Sequence, residues 1–177
     1  YDFVQGPIHF FVLDSQETIS HLVERIAQQD WLQTQLAAST TPWQVVYMHH
    51  PPYSSGARGS NIDMQWPYAQ WGADFVISGH EHVYERIEAD GIVYFINGLG
   101  GSTRYGFDIP VSGSEVRYNS DFGAMMADAS GDDINFRFIN RSGLVIDDYT
   151  HGQPPADIAV SNHMAAENEP VGTIIGA

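Results

Sequence analysis

The sequence predicts an α/β domain whose last third is an antiparallel meander. Short apolar runs recur and end in histidine or clustered glycine, and helix-period segments lie between the first two of them. After Phe122 three further segments are separated by turn chemistry.

The first run, Ile8 to Leu13, lies between Gly6-Pro7 and Asp14-Ser15 and reads as a buried strand. Asp14 and Glu17 have the spacing of a capping box. Ile19, Leu22, Val23 and Ile26 follow at helical spacing, and Trp31, Leu32 and Leu36 continue the apolar face in a second helix after a break near Asp30. Trp43 to Met48 is strand-like and delivers His49 to its C-terminal end. Pro51-Pro52 then forces a loop. A short helix is expected within Asp63 to Trp71, and strands at Asp74 to Ser78 and Ile92 to Asn97. Gly123 to Ala129, Ile134 to Ile139 and Leu144 to Tyr149 form the meander, since Gly131-Asp132-Asp133 and Arg141-Ser142-Gly143 are turn sequences. Three strands thus end in a His or Gly-rich loop, where open α/β sheets hold ligands.

A chain of 177 residues is long enough for one domain with a real core, or for a domain plus a fragment of another. With 43% hydrophobic residues it reads as globular rather than disordered. No run has the length of a membrane-spanning helix. Against 22 Asp+Glu stand 7 Lys+Arg, all arginine, for a net charge of −15. No basic stripe is available to neutralise phosphates, which argues against a duplex nucleic-acid partner. A small anionic substrate would need a local positive centre, which bound metal cations supply. Cysteine is absent, excluding disulfide and thiolate chemistry. The acidic, lysine-free composition fits a secreted or cell-surface setting. Tyr1 is not a start methionine, so the chain reads as an excerpt with a missing N-terminal half and further C-terminal modules.

His80 and His82, two residues apart in a strand-like segment, would point to one side. Together with His49 they are candidate metal ligands, because a neutral imidazole is the commonest one.

The words Tyr47-Met48-His49-His50-Pro51-Pro52-Tyr53-Ser54-Ser55, Gly72-Ala73-Asp74, Gly79-His80-Glu81-His82-Val83-Tyr84-Glu85-Arg86 and Asn97-Gly98-Leu99-Gly100-Gly101 resemble the calcineurin-like metallophosphoesterases, and by the Y-E-R extension their purple acid phosphatase-like branch. The likeness spans roughly residues 1 to 150. It implies the C-terminal half of a four-layer α/β/β/α sandwich and a dinuclear centre of divalent or trivalent ions (iron, zinc or manganese) that hydrolyses phosphate esters of small molecules. It also implies that His49 and His80 share one metal and that His82 binds the other. His50 and Arg58 then stand as candidates for catalytic support or substrate contact. The family's early motifs, which carry the bridging Asp, a second Asp and an Asn, are missing, so this chain supplies only the histidine side and is expected to be inactive alone. Where relatives often carry a histidine, Arg58 remains protonated and is a poor proton donor.

Residues 1–152 therefore read as part of a phosphoesterase domain, and residues 153–177 as a linker and the beginning of another module. Asp157 to Gly176 resembles the first strand region of a cadherin-like repeat, a family that binds calcium between modules, with Glu167 matching an early acidic ligand. The alternative reading is accordingly a non-catalytic module of a calcium-dependent surface or adhesion protein. Among the neighbours of the motifs, Glu81 is expected to be solvated. Glu85 and Arg86 are expected to brace the loop, and the glycines after Asn97 to permit close backbone approach. His9, His21, His151 and His163 read as surface or packed residues.

Overall fold

The computed structural model describes residues 1–152. Its element order is β1 (Asp2–Gln5), β2 (Ile8–Val12), α1 (Ser15–Ser20), α2 (Leu22–Ala38), β3 (Trp43–Met48), α3 (Tyr68–Trp71), β4 (Phe75–Ser78), β5 (Tyr84–Ala89), β6 (Ile92–Asn97), β7 (Ser114–Tyr118), β8 (Gly123–Ala129), β9 (Asp133–Asn140) and β10 (Val145–Gly152). A 3-10 turn, Ile62–Met64, precedes α3. Seven strands form one mixed sheet in the order β1-β2-β3-β4-β6-β5-β7, and the last three form an antiparallel sheet in the order β10-β9-β8. Strands β2, β3, β4 and β6 run parallel. Their C-terminal ends, which carry Leu13, His49, Gly79 and Gly98, therefore meet along one edge.

Alternate residues of these strands face opposite sides, and each side has its own core. Phe11, Val46, Val76 and Ile96 pack under the helices with Leu32, Leu36 and Tyr68. Val45, Phe75, Val93 and Phe95 pack against Ile134, Phe136 and Phe138 of the small sheet. The result is a sheet-rich α/β architecture, with helices, large sheet and small sheet as successive layers. Burial of the central strands on both faces explains why they read as continuous apolar runs rather than alternating ones.

Several expectations from sequence need correction. The helical break falls at His21, whose backbone is extended, and not near Asp30. Asp14 caps α1 by accepting the Gln16 and Glu17 amides, both at 3.1 Å. Arg25 reaches back from α2 to the carbonyls of Thr18 and Ile19, so the end of α1 is satisfied and the two helices separate there. Glu17 does not complete the box with a bond back to Asp14; it pairs with His21 at 2.9 Å. Leu22, Val23 and Ile26 are exposed, whereas Leu32 and Leu36 are buried. Strands β1, β5 and β7 were not visible in the pattern. β5 is buried although it contains Glu85 and Arg86, whose partners come from distant segments. The linker and cadherin-like assignments of residues 153–177, with calcium and Glu167, lie outside the described residues, as does His163.

Candidate metal centre

Parallel pairing of β3 with β4 sets Met48 opposite Ser78, so the next residues of both strands meet. The Gly79 amide donates to the His49 carbonyl at 3.1 Å and ties the two loops. His80 then adopts φ 63, a left-handed conformation that an L-residue with a Cβ takes at a cost. That turn aims His80 Nδ1 at His49 Nε2, 3.1 Å away. Two imidazole nitrogens each about 2.1 Å from one ion stand about 3–3.4 Å apart at the bond angles of four- to six-coordinate sites. The pair therefore fits two ligands of one metal.

His50 joins them. Among the described residues, the donor atoms of His49, His50 and His80 form a group lying within 4.8 Å of one another. His50 is held from outside the loop: Ser15 Oγ accepts its backbone N–H at 3.0 Å and bonds its Nδ1 at 2.9 Å. Partial burial lowers the His50 pKa first, and the neighbouring His49 and Arg58 lower it further. His80 is pushed down to about 4, again by burial first and then by His50, His49, Arg58 and His82. At neutral pH His80 is thus the uncharged imidazole that metal ligation requires.

His82 does not converge with this group. Residues 80–83 are bends rather than strand, and the left-handed turn at His80 breaks the two-residue alternation. The same-side geometry expected of His80 and His82 therefore does not hold. Instead the His82 ring stacks on Tyr105 at 4.1 Å, and its Nδ1 bonds the Thr103 carbonyl at 2.6 Å. A carbonyl can only accept, so Nδ1 carries the hydrogen and Nε2 keeps its lone pair free for a ligand.

Arg58 is exposed and donates from Nη2 to Tyr105 Oη at 2.7 Å, with its guanidinium 5.0 Å from that ring's centre. Glu81 was expected in solvent and is instead fully buried. Its Oε1 accepts the Arg58 amide at 2.7 Å, and burial pushes its carboxyl pKa up. Glu85 ties that loop to β7, accepting the Ser55 amide at 2.8 Å and the Ser114 hydroxyl at 2.6 Å, whereas Arg86, expected to brace the loop as well, pairs with Asp147 of β10. Gly98 passes so close to the Glu81 carbonyl that a Cβ there would meet its oxygen at 1.9 Å. A cavity of about 730 Å³ opens beside His49 and His50, walled by Ser15, Leu13 and Trp31. Another, of about 420 Å³, lies at the opposite end of β4 and β6 and contains none of the five candidate residues.

Sequence reasoning missed Ser15, Glu81, Thr103 and Tyr105. Ser15 had a signal, since adjacent parallel strands β2 and β3 bring the residues after them together. The others lacked one, because nothing local says which loop folds over His82.

Residues 3–84 match the family model described as calcineurin-like phosphoesterase. Purple acid phosphatase 15 of Arabidopsis thaliana is 34% identical over 119 residues, covering 58% of this chain and 22% of that protein. The Fe(3+)-Zn(2+) purple acid phosphatase 12 of the same plant is 36% identical over 84 residues, covering 41% of this chain and 18% of that protein. The chain thus spans about a fifth of the length of these two relatives. The solved purple acid phosphatase of yellow lupin (Lupinus luteus) seeds superposes with a TM-score of 0.73 at 21% identity, over 86% of this chain and 32% of that one, a likeness of fold.

Proposed function

We propose that this chain, whose residues 3–84 match the calcineurin-like phosphoesterase family model and which is similar to purple acid phosphatases, supplies the histidine side of a dinuclear metal centre that hydrolyses phosphate esters. The observation that carries the reading is the 3.1 Å approach of His49 Nε2 to His80 Nδ1 across two adjacent strand ends. In this reading His49 and His80 hold one ion and His82, through Nε2, holds a second. The carboxylate and amide ligands belong to a part of the protein outside this chain. The name of one relative, an Fe(3+)-Zn(2+) enzyme, supports divalent and trivalent ions as the metals.

When bound, such ions polarise the phosphoryl oxygens and lower the pKa of a coordinated water. The chain's own residues do the rest. Thr103 fixes the His82 tautomer and Ser15 fixes the His50 ring. His50, uncharged at neutral pH, offers a nitrogen beside the ligands that can hold or accept a proton. Arg58 cannot serve as an acid there; braced by Tyr105 and Glu81, it contributes a fixed positive charge for a phosphate oxygen. Location outside the cytoplasm, on the acidic lysine-free composition, and a separate module from residue 153 onward belong to the same proposal.

In the natural full-length protein loaded with iron, zinc or manganese, 4-nitrophenyl phosphate should be hydrolysed. His82→Ala should lower turnover at least about a hundredfold with the fold retained, since it removes a ligand from one of two ions. No hydrolysis by the natural protein under any of the metals, or comparable turnover in the variant, would refute the assignment. The reading as a non-catalytic adhesion module rests on residues 153–177, and the converging histidines favour the hydrolase.

A further inference from the structure

Four of the seven arginines are bonded to carboxylates: Arg25 to Asp63 at 2.7 Å, Arg86 to Asp147 at 2.8 Å, Arg141 to Asp121 at 2.6 Å, and Arg137 to Asp128. Among the described residues Arg58, Arg104 and Arg117 have no such partner. In a chain of net charge −15, cations that are left without carboxylates mark the few places where an anion is welcome. Arg117 lies over the Phe107 ring. Arg58 bonds Tyr105, the residue that stacks on His82, and Arg104 precedes Tyr105 in the chain and lines a cavity with it.

Arg104 is held in place without being used up. Its Nη1 donates to the carbonyls of Asn119, at 3.2 Å, and Ser120, and its guanidinium lies 5.4 Å from the centre of the Phe122 ring. Nε and Nη2 have no partner among the described residues and remain available as donors. Asp121 feels the Arg104 charge, but its carboxylate is bonded to Arg141. Arg104 lines a cavity of about 520 Å³ together with Thr103, Tyr105, Gly106, Asn119 and Phe122, and among the described residues no carboxylate lines it. That volume suits a small molecule. The same wall is tied to the candidate metal ligand: the Thr103 carbonyl accepts from His82 Nδ1, and the Tyr105 amide donates to the His82 carbonyl at 3.1 Å.

We propose that this cavity receives the leaving group of the substrate and that Arg104 selects leaving groups bearing a second anionic group, while Arg58 faces the phosphate. The inference rests on the phosphoesterase reading for the word substrate, but the anion site stands on its own contacts. In this reading a phosphate held at His82 adjoins the Thr103–Tyr105 wall, which His82 itself contacts. A carboxylate or phosphate further along the molecule then meets the free donors of Arg104. A neutral leaving group finds the same space and leaves those donors unmatched.

The test compares isosteric pairs on the natural metal-loaded protein. Turnover is measured on 4-carboxyphenyl phosphate against 4-carbamoylphenyl phosphate, and affinity for the non-hydrolysable 4-phosphonobenzoate against 4-phosphonobenzamide. The anionic member should be favoured roughly tenfold in kcat/KM and in Kd, the scale of one hydrogen bond to a charged group. Arg104→Gln should bring both ratios close to one, and Arg104→Lys should restore much of the preference, which separates lost charge from lost fold. Equal affinity for the two phosphonates overturns the inference. So does an equal loss of preference in Arg117→Gln, which would trace it to overall charge. A phosphonate preference that follows Arg104 without any ester hydrolysis upholds the anion site and overturns the phosphoesterase reading instead.

Discussion

His80 carries two separate penalties at one position. Its φ of 63 costs an L-residue about 1–2 kcal/mol relative to right-handed backbone. Its ring is also kept uncharged, with the pKa pushed down to about 4. The first penalty predicts that His80→Gly is more stable than His80→Ala by about 1 kcal/mol, since glycine takes this conformation freely. The second predicts a pH dependence. The folded pKa lies below the ordinary value of 6.5, so between pH 6.5 and 4 the unfolded chain binds the proton first. Stability from this group is therefore complete above pH 6.5 and is lost as the pH falls toward 4. Urea midpoints at pH 7 and pH 4 should drop further in the natural protein than in either variant; equal drops would remove His80 as the cause. The sequence marked His80 through its motif, but not the left-handed turn. Histidine is enriched in this region along with asparagine and aspartate, but a single histidine does not announce it, because most histidines take right-handed or extended backbone.

At the scale of elements, the site depends on how closely β6 ends against the loop between β4 and β5. The Gly98 amide donates to the Val83 carbonyl at 2.9 Å, and an added Cβ would meet the Glu81 carbonyl oxygen at 1.9 Å and His82 Cα at 3.3 Å. Both are backbone atoms that cannot rotate aside. Gly98→Ala should therefore destabilise the protein by about 1–3 kcal/mol, the range for overpacking. Gly100→Ala, with no described residue within 4 Å of the new carbon, should stay within about 0.5 kcal/mol. Urea denaturation of the two variants checks the pair, and similar effects at both positions would contradict the crowding argument. Close backbone approach was legible from the run of glycines. Which glycine makes it was not, since that depends on the register of β5 on β6. The burial of Glu81 between two histidines was likewise hidden, because its partner, the Arg58 amide, lies twenty-three residues away.

At the scale of the whole molecule, the two sheets are joined by more than apolar packing. Asp147 of β10 accepts from Tyr84 Oη and Arg86 Nε of β5, both at 2.8 Å. The Asp147 and Arg86 side chains are only 5% and 14% exposed. Removing Asp147 leaves the largely buried Arg86 only the long 3.8 Å pair to exposed Glu88, so Asp147→Ala should cost about 3 kcal/mol, the low end for breaking a buried pair. Pairing it with Arg86→Met should recover much of that loss, because the unpaired cation goes with it. A double-mutant cycle by chemical denaturation measures this coupling, and strict additivity would show that the sheets do not depend on it. By itself the sequence determined the α/β class, the strand ends that carry histidine or glycine, the meander and the phosphoesterase resemblance. Those are properties of short windows, where apolar period, turn residues and contiguous motifs act. Only the tertiary structure decided that His50 joins His49 and His80, that His82 turns to Tyr105 and Thr103, and that Arg58 and Arg104 have no carboxylate partner among the described residues. Each of these depends on which loops the parallel strand order brings to one edge, and on the buried contacts that hold a side chain against its local preference.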